Sequence, residues 1–159
     1  MSRKRFSWLL LLLWIIAVEF IGILSSLFAG NIKAMYEGLN LPVLSPPSYV
    51  FGPVWTVLYA LIGIAGYLLV YHSTSPKELR TNLFLFFGQL FLNFIWSIVF
   101  FGGSNYWVGV AIIIALVAVV FACINIFHKT STLASYLLVP YVIWITFATY
   151  LTLGVAILN

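Results

Sequence analysis

Charge is what this chain has least of. Only 6% of its 159 residues are charged, seven Lys or Arg and three Asp or Glu. A soluble domain needs roughly a quarter charged residues to hold its surface in water, so that class is excluded. Cysteine is nearly absent: Cys123 stands alone in an apolar run, which excludes an intrachain disulfide and reads as a small packed residue. His72 and His128 lie at the ends of two apolar runs with no Cys, Asp or second His at ligand spacing. That argues against a metal site and leaves them poorly placed as axial ligands of an intramembrane haem. No nucleophile–base pair and no phosphate loop occur, so hydrolytic and nucleotide-dependent chemistry lack their residues. No internal repeat is visible, which counts against repeat-built transporters.

What is present is apolar: 64% of the residues are hydrophobic and the mean hydropathy is +1.16. Long continuous runs, rather than alternation, point to helices in lipid and not to a barrel. The expected fold is all-α, one domain over 1–159, with spanning helices at about 7–28, 54–71, 83–101, 106–127 and 133–157. Each run is near the ~20 residues that cross a bilayer. The first is too long for a cleaved signal and carries Glu19, so it reads as a retained helix.

Basic residues sit at the ends of these runs, which does not make a nucleic-acid stripe. With the N-terminus inside, Arg3, Lys4, Arg5, Lys77, Arg80 and Lys129 fall inside and only Lys33 outside. The positive-inside rule then predicts N-terminus in and C-terminus out. Trp8 and Trp107, near run ends, read as interfacial belt residues. The 29–53 connection is far longer than the others and holds Met35, Tyr36, Leu39, Leu41, Pro42, Val43 and Leu44. It is too apolar for a solvated loop. A short helix is expected from Ile32 to Leu39, ended by Gly38, with Pro46 and Pro47 stiffening the re-entry. This segment reads as a lid.

Beyond the double proline, Trp55 and Tyr59 lie at i and i+4, on one helix face. Asn93, Trp96 and Ser97 make a second stripe at i, i+3 and i+4, and Tyr141, Trp144 and Ala148 a third at i, i+3 and i+7. Polar groups in lipid turn inward, and small Ala148 leaves room beside Trp144. Three such stripes suit a flat hydrophobic ligand, although spacing alone fits helix packing equally well. Pro140 predicts a kink one turn from Trp144, since its ring clashes with the Tyr136 carbonyl. Gly63 and Gly66, and the stripe Gly22, Ser25, Ser26 and Ala29, read as close helix packing. Glu19 has no Lys or Arg within any run to pair with, and a proton relay is one reading of it.

These residues resemble the tryptophan-rich sensory protein / translocator protein (TspO/MBR) family, from about Gly22 onward. The resemblance is carried by Gly30-Asn31, Tyr36, Leu39, Pro42, Pro46-Pro47 and Val50-Phe51-Gly52-Pro53-Val54-Trp55-Thr56 with Leu58-Tyr59. It continues through Gln89-Leu90, Asn93, Trp96-Ser97 and Phe100-Phe101-Gly102, then Pro140-Tyr141, Trp144, Phe147-Ala148 and Leu158-Asn159. It implies a five-helix bundle, often dimeric, whose first loop caps a pocket for protoporphyrin, haem and related tetrapyrroles. The positions it carries to that pocket are Tyr36, Pro46, Trp55, Tyr59, Asn93, Trp96, Ser97, Trp144 and Ala148. Met35 stands where the family usually has Trp, Leu41 where it has a basic residue, and Thr152 where it has Asn. No basic residue follows Tyr150, so the sterol motif is missing, which tilts the expectation to a bacterial, tetrapyrrole-type ligand.

The leading expectation is thus a multi-pass membrane receptor or sensor of bacterial type that requires no cofactor, with porphyrin or haem as ligand and a homodimer as the expected assembly. A second expectation is light- or oxygen-dependent porphyrin breakdown, in which Trp55 and Trp144 would be the oxidisable, catalytic residues. A third is transport of the ligand.

Overall fold

The computed structural model describes residues 5–159. Arg3 and Lys4, which enter the charge-bias argument, lie outside them. Seven α-helices are present among the described residues: α1 (Trp8–Ala29), α2 (Ile32–Glu37), α3 (Phe51–His72), α4 (Pro76–Ser97), α5 (Tyr106–Thr130), α6 (Thr132–Leu137) and α7 (Val139–Leu158). A 3-10 turn, Ser48–Val50, leads into α3, and a π turn, Ile98–Gly102, extends α4. Five stretches are long and apolar enough to span a membrane: Trp8–Ala29, Ser48–His72, Pro76–Gly102, Tyr106–Thr130 and Thr132–Leu158. The molecule is an all-helical, multi-pass membrane bundle.

Several helix bounds differ from those read in the sequence, each for a local reason. The third span starts at Pro76, not near 83, because Ser75 caps it: the Ser75 hydroxyl accepts from the Glu78 amide at 3.2 Å. Proline in the first turn needs no N–H partner there. Counting only apolar residues hides such a polar first turn. The lid helix stops at Glu37, two residues short of Leu39, with Gly38 as its cap. The fifth span is two helices. α6 ends at Leu137 and α7 begins at Val139 with Pro140 in its first turn, so the expected kink takes the form of an interruption at Leu138.

One end of the bundle, called here the lid end, gathers Ala29, Phe51, Gly102, Tyr106 and Leu158; the opposite end gathers the connections 73–75 and 131. Toward the opposite end α1 and α3 meet closely. A Cβ on Gly63 would lie 2.7 Å from the Ile15 Cα, and one on Gly66 2.7 Å from the rings of Trp14 and Phe86. The opposite end is also tied by polar contacts. Glu78 accepts from the Thr130 hydroxyl at 2.6 Å and from both the amide and hydroxyl of Thr74 at 2.8 Å. Asn82 donates to Thr130 Oγ1 at 2.9 Å, joining α4 to α5.

Candidate functional site

The lid end is hollow. A cavity of about 410 Å³ lies beneath α2, between α1, α3, α4 and α7. Its aromatic wall follows from helical spacing. Trp55 stacks on Tyr59, one turn later on α3, with centroids 5.4 Å apart and planes at 28°. Phe51, one turn earlier, meets Trp144 of α7 edge-on at 5.9 Å and Tyr36 of the lid at 4.9 Å. Trp96 of α4 stacks on Phe100 at 5.4 Å. The π turn that follows brings residues five apart over one another, and Phe101 joins Trp96 at the cavity.

Beneath this wall the Tyr59 hydroxyl donates to Asn93 Oδ1 at 2.8 Å, and Asn93 Nδ2 donates to the Tyr141 hydroxyl at 2.9 Å. This chain of two bonds ties α3, α4 and α7 together and fixes the tilt of the Tyr59 ring. Gly22 on α1 lies so close to that ring that a Cβ would overlap it. Two donors inside the wall are left over. The indole nitrogens of Trp96 and Trp144 are buried and have no acceptor among the described residues. A buried N–H without a partner is costly, but both nitrogens are closed off from the hollow, and it is the ring faces that border it.

The lid is held at three points by α7. Asn159 grips the Asn40 backbone twice, accepting from its N–H at 3.0 Å and donating to its carbonyl at 2.9 Å. The Tyr150 hydroxyl donates to the Val43 carbonyl at 2.6 Å. Pro42 fills the space over Gly154, where a Cβ would come within 2.5 Å of its ring. Within the lid, the Tyr36 hydroxyl donates to the Pro46 carbonyl at 2.7 Å and Ser48 to Glu37 at 2.6 Å. Burial pushes the Tyr36 phenol above its ordinary pKa. Leu39 and Leu41 pack against the cluster of Trp96, Phe100, Ala148 and Val155. A basic residue at 41 would not have joined that cluster. The hollow stays open at one side, between α1 and α3, where Ile23, Ser26, Gly52 and Thr56 are exposed.

Of the residues expected at the site, Tyr36, Trp55, Tyr59, Trp96, Ser97, Trp144 and Ala148 line the hollow. Asn93 and Pro46 stand one layer behind it, Asn93 holding Tyr59 and Pro46 holding Tyr36. Sequence reasoning passed over Phe51, although it lies four residues before Trp55 and shares its face. It also read Gly22, Ser25 and Ser26 as packing alone. Ser25 does pack, donating to the Phe94 carbonyl at 2.9 Å, but all three also border the hollow, as does Glu19. Lys33 lines the lid side of the cavity. His72 and His128 are at the opposite end, and no cluster of three His, Cys, Asp or Glu side chains suited to a metal occurs among the described residues.

The sequence profile described as the TspO/MBR family matches residues 14–158. The chain is 42% identical over 147 residues to the tryptophan-rich protein TspO of Archaeoglobus fulgidus, covering 91% of this chain and 94% of that protein. It is 34% identical over 124 residues to the tryptophan-rich sensory protein of Cereibacter sphaeroides, covering 78% and 76%. With the human translocator protein it shares 34% identity over 117 residues, covering 73% and 69%.

Proposed function

The chain belongs to the TspO/MBR family, and from that premise we propose that it is a membrane receptor or sensor for a tetrapyrrole or similar flat hydrophobic ligand. The ligand sits in the hollow beneath the lid. The observation that supports this reading is a lidded hollow walled by the aromatic side chains of Tyr36, Phe51, Trp55, Tyr59, Trp96 and Trp144. Ring faces hold a flat ligand through stacking worth about 0.5–1.5 kcal/mol per pair beyond area burial. The volume falls toward the small side of the ~300–1,000 Å³ typical of ligand pockets. A macrocycle therefore extends in part through the gap between α1 and α3. The charge bias orients the bundle with the lid outside and the N-terminus inside a bacterial cell membrane.

Protoporphyrin titration followed by quenching of tryptophan fluorescence tests the site. Trp55→Leu with Trp144→Leu is expected to weaken binding about tenfold or more, two stacking contacts being lost. Unchanged affinity in that double variant rejects the assignment. The exposed gap between α1 and α3 also supports a second reading, ligand exchange with the membrane, which uptake by proteoliposomes would reveal. Porphyrin breakdown rests on Trp55 and Trp144 bordering the ligand. A new absorbing product on illumination in oxygen, absent in the double variant, would favour it.

A further inference from the structure

One acid and one base open into the hollow, and the packing of the bundle uses neither. The chain has three acidic side chains. Glu37 is bonded by Ser48, and Glu78 by Thr74 and Thr130. Glu19 makes no hydrogen bond or ion pair with a described residue, yet it borders the hollow. Lys33, on the lid helix α2, borders the same space and is likewise unengaged. An ionisable group at mid-membrane depth is costly, so its place beside a cavity calls for a function.

Helical spacing sets the depth of each. Glu19 comes three residues before Gly22 and seven before Ser26, so it shares the α1 face that borders the hollow. Gly22 lies against the Tyr59 ring, which puts Glu19 at the floor, one turn below Ile23 and the open gap. It stands ten residues below Ala29, about 15 Å of helix. Lys33 is in the first turn of α2 and exposed at the rim. With the one at the floor and the other at the rim, neither neutralises the other.

We propose that Glu19 and Lys33 are specificity-determining residues that orient the ligand by charge. The hollow then takes a flat ligand whose carboxylates lie along one edge, held at Lys33, and refuses one that sets a carboxylate beside Glu19. This inference rests on the reading of the hollow as the ligand site. Lys33 has the long apolar stem and charged tip that suit a rim. At the floor, where water is scarce, repulsion between two carboxylates is weakly screened. Rejection by like charge is a direct route to specificity, since only the difference between two affinities counts.

A porphyrin charge series, titrated by tryptophan quenching against the full chain in detergent, tests this. Protoporphyrin carries its propionates on one edge; coproporphyrin carries one on every pyrrole ring and cannot turn them all from the floor. Wild type should prefer protoporphyrin by about tenfold or more. Glu19→Gln keeps the size of the side chain and should remove most of that preference, whereas Glu19→Asp should keep it. Lys33→Gln should weaken protoporphyrin about fivefold relative to its uncharged dimethyl ester. An unchanged preference in Glu19→Gln overturns the proposal, as does equal weakening of acid and ester by Lys33→Gln. The leucine double variant at Trp55 and Trp144, run alongside, separates the two levels. Where its binding is weakened, those failures reject the charge assignment alone; where its binding is intact, the hollow and the charge assignment fall together.

Discussion

The two ends of this bundle use similar residues to opposite effect. At the opposite end, α1 and α3 touch through Gly63 and Gly66, and Glu78, Thr74, Thr130 and Asn82 bond across three elements. At the lid end the same pair of helices parts around a hollow, and aromatic rings that would fill a core face space instead. The division between them is Tyr59, lying against Gly22 and bonded to Asn93. Pairing is incomplete in the solid part too, since Gln89 is buried with neither amide atom bonded to a described residue. What distinguishes the lid end is that large aromatic side chains, Trp96 and Trp144 among them, line open volume there.

The sharpest way to break this comparison is to add a side chain at one glycine of each end. Gly63→Val drives a side chain into the α1 backbone at Ile15, and overpacking of that kind is expected to destabilise by about 3 kcal/mol. Gly52→Ala, where a Cβ meets nothing within 4 Å, should change thermal stability little. Thermal unfolding in detergent compares the two directly, and equal losses would show that the ends are packed alike. Asn93→Leu acts on the boundary. It strands the Tyr59 and Tyr141 hydroxyls, and a destabilisation of about 1–3 kcal/mol is expected together with weaker porphyrin quenching.

Smaller, more local effects should come from the lid. Asn159→Ala removes both bonds to Asn40, each worth about 0.5–1.5 kcal/mol. Amide exchange over residues 39–47 should quicken and ligand release should speed up, with the melting temperature nearly unmoved. A global loss of stability instead would mean that the lid is part of the core. The smallest effect is the dependence on pH. Tyr36 must keep its proton to brace Pro46, and burial holds its pKa above the ordinary tyrosine value. A raised folded-state pKa contributes stability below the unfolded value and loses it as pH climbs through the folded one. Lid exchange rates should therefore be level across neutral pH once intrinsic exchange is corrected for, and rise only in alkali. Tyr36→Phe should abolish that alkaline step.

Much of this was legible in the chain. Scarce charge and long apolar runs determine a membrane helix bundle, because lipid offers no partner to an unpaired backbone group. Spacing at i, i+3 and i+4 determines that Trp55 with Tyr59, and Asn93 with Trp96 and Ser97, share faces. Other features depend on where separate elements meet. Spacing says which side chains stand together on one helix, but not whether the facing helix packs against them or stands away. Only the tertiary structure decided that α1 closes on α3 at Gly63 and leaves it above Gly22, that Asn93 holds Tyr59 from behind, and that Asn159 reaches Asn40. Contacts across more than a hundred residues of chain depend on helix tilt and register, and those are settled by all the packed side chains together rather than by any local run of sequence.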